Sequence, residues 1–161
     1  MVNVLFVCLG NICRSPAAEG VFRALVEGEG LADRITVDSA GTAAWHLGKP
    51  PDRRAQAAAR RRGIDIGGLR ARQAGPADFR RFDLVLAMDR DNHADLARLC
   101  PPGEGQRLAL FLDFAPEIPV REVPDPYYGG PEGFERMLDL IDIGGRGLLA
   151  HLRATRLRPD R

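Results

Sequence analysis

Cys8 and Arg14 stand with five residues between them in the run Cys8-Leu9-Gly10-Asn11-Ile12-Cys13-Arg14-Ser15-Pro16, directly after the apolar Val4-Leu5-Phe6-Val7. A loop that wraps a phosphate must turn several backbone N–H groups inward, and Gly10 and Asn11 are the residue types that adopt the required backbone angles with least strain. The loop leads into a helix start, whose free amides and partial positive charge favour an anion, and a planar Arg14 guanidinium can grip two phosphate oxygens at once. The same field favours the thiolate form of Cys8, which is the form that attacks. Ser15 can cap the helix and donate to that sulfur. The chemistry this implies is nucleophilic attack on a phosphate ester, with cradle and nucleophile in one segment. Taken without its neighbours, Cys8 also reads as a small buried apolar residue and Arg14 as the start of an exposed helix. Neither a Gly-Lys-Ser/Thr ending nor a G-x-G-x-x-G pattern accompanies the strand, which argues against a nucleotide-binding loop.

Attack by a thiolate expels an alkoxide or phenoxide, which leaves poorly unless it is protonated as the bond breaks. A general acid is therefore required, and Asp125 is the best candidate. Pro124 and Pro126 stiffen it, Tyr127 and Tyr128 can shield it from water, and Gly129-Gly130 lets the chain turn over a pocket. The same segment also reads as an Asp-Pro turn packed by tyrosines. Cys13 lies on the curling loop five residues after Cys8, as a candidate redox partner or as a buried structural thiol.

These residues need elements to position them. Residues 2–7 are apolar on both faces apart from Asn3, the pattern of a central parallel strand. A helix is predicted over 15–28, with Ser15 at the N-cap and Pro16 in the first turn. A second strand is predicted at 35–39, a loop containing Trp45 follows, and an alanine-rich helix spans 52–62. Its Arg60-Arg61-Arg62 run reads as a solvated face at the helix C-terminus. Further strands are predicted at 82–88 and 107–111, with a helix at 91–99 between them. A proline-rich loop spans 116–131, and a closing helix at about 132–156 is weakened by Gly144, Gly145 and Gly147. Alternating strands and helices make an α/β fold with a parallel sheet and helices on both faces, whose ligands bind beyond the carboxyl ends of the strands. Cys8, Ser39 and Asp89 fall at such ends.

At 161 residues the chain suits a single domain, expected over 1–158 with a short polar tail at 159–161. Its 23 basic and 22 acidic residues give a formal charge of +1, so no global field recruits nucleic acid or an anionic membrane. No apolar run approaches the ~18 residues of a membrane span, and the N-terminus lacks the basic segment and long apolar core of a signal peptide, so a cytoplasmic location is expected. Three cysteines at 8, 13 and 100 make no disulfide framework or paired metal knuckle. His46, His93 and His151 are too scattered to suggest a metal site, so no metal or cofactor is expected.

The Cys8–Pro16 segment, together with Asp125-Pro126-Tyr127-Tyr128-Gly129, resembles the low-molecular-weight protein tyrosine phosphatases. Asp38-Ser39-Ala40-Gly41-Thr42, Trp45, Ala71-Arg72-Gln73 and Met88-Asp89 extend the resemblance along essentially the whole chain. It implies a Rossmann-like sheet of four parallel strands and a metal-free, two-step hydrolysis of phosphotyrosine through a cysteinyl phosphate. In those terms Cys8 is the nucleophile, Arg14 the phosphoryl clamp, Asp125 the acid and then the base, and Ser15 the stabiliser of the leaving thiolate. Leu9, Gly10, Asn11, Ile12 and Cys13 form the phosphate loop, with Asn11 fixing its geometry. Leu9, Ile12, Trp45, Tyr127 and Tyr128 line a slot for the aryl ring. The expected partner is a phosphotyrosine protein, met by a monomer or weak dimer. Leu69 departs from the pattern, because many relatives carry a histidine there, bonded into the Asn and Ser network. Protein-arginine phosphatase of the same fold is the alternative, disfavoured by Ile12 and the two tyrosines. A thioredoxin-coupled arsenate reductase is less fitting still, since only Cys100 lies beyond the loop pair.

Overall fold

Val2–Cys8 forms β1, buried along nearly its whole length because it is paired on both edges. Its parallel register with β2 (Ile35–Gly41) runs from Val2↔Ile35 to Cys8↔Gly41, and with β3 (Leu84–Ala87) from Val4↔Leu84 to Val7↔Ala87. β3 pairs in turn with β4 (Leu108–Leu110), so the sheet order is β2-β1-β3-β4. This computed structural model describes residues 1–157; residue 158 and the expected tail at 159–161 lie outside the described residues.

Alternation along β1 decides where each side chain goes. Val4, Phe6 and Cys8 share the core with α1 (Arg14–Gly28), α2 (Arg53–Arg61) and α5 (Pro131–Thr155). There Phe6 stands edge-on to Phe22 at 5.7 Å and to Phe111 at 5.1 Å between ring centroids, a favoured aromatic geometry. Leu5 and Val7 belong to the opposite core, with Phe79 of α3 (Asp78–Arg81) and Leu96 of α4 (Arg90–Leu99). Helices thus cover both faces, and Cys8 emerges at the carboxyl end of the central strand, on the α1 side.

The structure departs from the sequence reading in identifiable places. α1 begins at Arg14 with Cys13 at its N-cap, so Ser15 is not the cap but sits inside the first turn. β2 is two residues longer than expected, β3 ends before Met88, and β4 is only three residues because the chain turns into a 3-10 segment at Phe111–Phe114. The four-residue α3 was too short to leave a period in the sequence. Arg61 and Arg62 are not simply a solvated face, since they reach Glu135 at 3.0 and 2.8 Å, and Arg62 also reaches Asp139 at 2.8 Å. The three glycines do not break α5, which runs unbroken past them. They let it approach its neighbours: a Cβ at Gly144 would lie 2.8 Å from the Phe111 ring, and one at Gly147 only 2.0 Å from the Phe114 carbonyl oxygen.

Candidate active site

Residues 9–13 connect β1 to α1, and carbonyls at both ends of the connection are tied to neighbouring segments. The Leu9 carbonyl accepts from Ala43 N at 2.9 Å and the Ile12 carbonyl from Asp52 N at 2.8 Å, while the Cys8 carbonyl accepts from Thr42 N at 2.9 Å. Among the described residues, no acceptor is bonded to the backbone N–H groups of residues 10–13. The loop is therefore a ring of unspent donors at a helix start, the arrangement that holds an anion. Asn11 carries the left-handed backbone that the turn demands, at φ 57°. Gly10 does not, contrary to expectation; it is small for a different reason, because a Cβ there would come within 2.9 Å of the His46 ring. Gly41 at the end of β2 gives the loop its seat, since a Cβ would stand 2.7 Å from the Leu9 carbonyl oxygen.

Beneath the loop runs a buried chain of hydrogen bonds. Asn11 Nδ2 donates to Ser15 Oγ at 2.7 Å and to Ser39 Oγ at 3.1 Å, and its Oδ1 accepts from Arg72 N at 3.0 Å. Ser39 donates to Glu19 Oε1 at 2.7 Å, and Glu19 pairs with Arg23 at 2.5 Å. Glu19 thus anchors the network, and Leu69 packs as a partly buried apolar residue against the core instead of joining it. Ser15 Oγ lies 3.1 Å from Cys8 Sγ and 3.2 Å from the Ala40 carbonyl. Since Asn11 already donates to this hydroxyl, its single proton is free to choose. A thiolate at Cys8 can only accept, so the proton turns to the sulfur when Cys8 is charged.

Arg14 is buried, and its guanidinium is held from one corner. Nη1 donates to Asp89 Oδ2 at 2.5 Å and to the Val123 carbonyl at 3.0 Å. Nη2 lies 3.6 Å from Asp125 Oδ2. Burial works against the Arg14 charge, but the negative charge of Cys8, the Asp89 hydrogen bond and the carboxylates of Asp89 and Asp125 outweigh it and push its pKa up. With Nη1 committed, the Nε–Nη2 edge is left for a ligand. Asp125 is exposed, and its Oδ1 accepts from Tyr127 N at 3.0 Å.

Cys8, Cys13, Arg14 and Asp125 share a cavity of about 290 Å³ with Leu9, Gly10, Ile12, Trp45, His46, Tyr127 and Tyr128. All the residues expected from the sequence except Asn11 and Ser15, which lie in the layer below, therefore line one space. Its aromatic wall is more open than a deep slot: Trp45 is 71% exposed and Tyr128 95%, against 36% for Tyr127. His46 was missed, because an isolated histidine carries no spacing signal; Asp89 and Glu19 were not assigned to the site because their partners are distant in sequence. Cys13 is buried, and burial first, then Asp52, Cys8 and Asp125, push its thiol well above the usual range. Among the described residues no group of three or more His, Cys, Asp or Glu is placed to hold a metal ion, and no helix is long and apolar enough to cross a membrane.

A thiol at the open end of a central parallel strand, with free amides and a half-occupied arginine fork around it, has one economical use, covalent phosphate-ester hydrolysis, so the class is that of the cysteine-dependent phosphatases. Comparison with known proteins narrows it. The family model described as low molecular weight phosphotyrosine protein phosphatase matches residues 3–158, and the chain belongs to that family. It is 46% identical to the Schizosaccharomyces pombe low molecular weight phosphotyrosine protein phosphatase, over 88% of this chain and 92% of that one. It is 43% identical to the Bacillus subtilis low molecular weight protein-tyrosine-phosphatase YfkJ, over 94% and 96%. The crystal structure of a protein tyrosine phosphatase from Entamoeba histolytica with Hepes in the active site superposes with a TM-score of 0.92 at 39% identity, covering 96% of this chain and 98% of that one.

Proposed function

We propose that this protein tyrosine phosphatase works through Cys8, Arg14 and Asp125, on phosphotyrosine carried by protein substrates. The observation that carries the assignment is the division of the Arg14 fork. Asp89 and the Val123 carbonyl occupy Nη1, which leaves Nε and Nη2 uncommitted in a residue that lines the cavity with Cys8 and Asp125. The Cys8 thiolate attacks phosphorus, the P–O ester bond breaks, and the Asp125 carboxyl gives its proton to the departing phenolate oxygen. Three phosphoryl oxygens are then held by the amides of residues 10–13 and the Arg14 edge, where negative charge grows in the transition state. In the second step Asp125, now a carboxylate, takes a proton from water as that water attacks phosphorus. The P–S bond breaks, inorganic phosphate leaves, and the Ser15 proton receives the thiolate.

Ile12 and the Tyr127 ring favour an aryl ester over phosphoarginine, and the relatives named above are tyrosine phosphatases in agreement. We further read the chain as a single domain that acts in the cytoplasm as a monomer or weak dimer, without a metal, nucleic acid or membrane partner. The test is hydrolysis of p-nitrophenyl phosphate in the presence of EDTA, with acid-quench trapping of a phosphocysteine. Cys8→Ser is expected to abolish turnover and the trapped adduct. Asp125→Asn is expected to slow turnover most for poor leaving groups. Substantial activity in Cys8→Ser would sink the covalent route.

A further inference from the structure

Between Val123 and α5 the acid loop is a stretch of prolines, tyrosines and glycines with few ties of its own. Internally, Tyr127 N donates to Asp125 Oδ1 at 3.0 Å and Gly129 N to the Pro126 carbonyl at 3.0 Å. Among the described residues, the hydrogen bond that joins 124–130 to an element outside the loop and its following helix comes from Arg54 of α2, whose Nη2 donates to the Tyr127 carbonyl at 2.9 Å. The same guanidinium stands 5.4 Å from the centroid of the Tyr127 ring and 4.9 Å from that of Phe134 in the first turns of α5. The guanidinium is also held by Asp52. Nε and Nη2 of Arg54 donate to the two oxygens of Asp52 at 3.1 and 3.0 Å. Asp52 caps α2 by accepting from Arg54 N at 2.8 Å, and its own N–H donates to the Ile12 carbonyl of the phosphate loop at 2.8 Å.

We infer that Arg54 is a positioning residue for the general acid, a brace that sets Asp125 by holding Tyr127. The path is continuous: Ile12 in the phosphate loop, Asp52, Arg54, the Tyr127 carbonyl, and then the Tyr127 N–H on Asp125 Oδ1. That last bond occupies one oxygen of the acid and leaves Oδ2 facing Arg14 at 3.6 Å, on the side where the leaving group must sit. Nucleophile loop and acid loop are distant in sequence, and the Arg54 fork spans them. Arg54 itself does not line the cavity and touches no phosphate-binding group directly, so it acts on the proton and not on the phosphate. The inference rests on Asp125 being the acid. A displacement of about 1 Å in a catalytic group costs on the order of a hundredfold in rate, so a brace of this kind has a measurable effect without contacting substrate.

The experiment compares two substrates, phenyl phosphate, whose leaving group needs a proton, and 2,4-dinitrophenyl phosphate, whose leaving group does not. Arg54→Ala is expected to lower kcat/KM, which reports the leaving-group step and not the shared hydrolysis of the phosphocysteine, by about 10- to 50-fold for phenyl phosphate while leaving that for 2,4-dinitrophenyl phosphate within about threefold and the inhibition constant of inorganic phosphate within about twofold. Arg54→Lys, which keeps the charge but cannot fork, is expected to fall between. In the Arg54→Ala background, Asp125→Asn should cost much less than it does alone, because the acid it removes is already misplaced. If Arg54→Ala lowers kcat/KM for both substrates alike, or weakens phosphate binding in parallel, the positioning role is overturned. The Arg54 side chain is about half exposed, and Arg54→Gln, which keeps the stem, supplies the same comparison should Arg54→Ala fold poorly. If Asp125→Asn alone shows no leaving-group dependence, the acid assignment fails instead, which separates that failure from a failure of the brace.

Discussion

Arg14 Nη1 lies 2.5 Å from Asp89 Oδ2, and the other oxygen of the same carboxylate caps α4 by accepting from Asn92 N at 2.8 Å. One side chain therefore does two separable jobs: it caps a helix on one face of the sheet and holds Arg14, the proposed phosphate clamp, on the other.

The two jobs separate by mutation. Asp89→Ala is expected to lose about 1 kcal/mol of stability with the cap and to lower kcat/KM about tenfold by loosening Arg14. Asp89→Asn keeps a cap oxygen, so urea denaturation should return close to the parent midpoint while kcat/KM stays depressed. Full recovery of both by Asn would mean that Asp89 acts on the site only through α4.

The exposed aromatic wall ranks its own residues. Trp45→Ala and Tyr127→Ala are each expected to cost about 1–2 kcal/mol in kcat/KM for a phosphotyrosine peptide, through contact area lost when the substrate ring is covered. Tyr128, almost fully exposed, should change it by less than about threefold when replaced by Ala. Steady-state kinetics on phosphotyrosine and phosphoserine peptides of matched sequence checks the slot. Equal kcat/KM for the two removes it, and preference for phosphoarginine moves the assignment to the arginine-phosphatase alternative.

Peroxide should convert Cys8 to a sulfenic acid, and Cys13 should then displace hydroxide to close a disulfide that dithiothreitol reopens. Because burial and nearby acidic groups hold the Cys13 thiol protonated, its reactive thiolate grows about tenfold for each pH unit below its raised value. Disulfide formation in competition with a sulfenic-acid trap should accordingly climb from pH 6 to pH 9 with no plateau. Peptide mapping that finds Cys8 driven to sulfinic acid with Cys13 untouched at every pH would count against the pairing.

In an exposed helix interior, Gly→Ala gains up to about 1 kcal/mol. At Gly147 the sign should reverse, because the added Cβ meets a backbone oxygen that cannot move aside; a loss of about 1–3 kcal/mol is expected by thermal or urea denaturation. Gly28 at the end of α1 has open space around its Cβ position, and Gly28→Ala is expected to be neutral or slightly stabilising.

What the sequence made legible was local. Cys8, Asn11, Arg14 and Ser15 lie within one strand-loop-helix unit, and Asp125 stands out by its prolines, tyrosines and glycines; spacing and residue type suffice for such features. The partners that tune them are not local. Asp89 meets Arg14 across the sheet, Glu19 meets Ser39 from a helix to a strand, and Arg54 reaches Tyr127 only after the whole chain has folded. Asp89 shows in the sequence as a strand-end residue without a partner, and Glu19 and Arg54 carry no signal at all until the fold brings them to theirs. Ser15 shows the opposite error: a serine next to a helix start looks like a cap, but the cradle takes that place and uses the hydroxyl for sulfur and Asn11.

Arg14 and Asp125 lie far apart in the chain, and Arg14 is 109 positions before Val123, whose carbonyl helps hold it. During synthesis, β1, Cys8 and Arg14 are therefore made before the segment of Asp125 and before the helix that packs on α1. A growing chain carries Cys8 and Arg14 well before it carries Asp125. The proposed site is assembled only when the later segment, Val123 to Asp125, reaches the earlier one at Arg14.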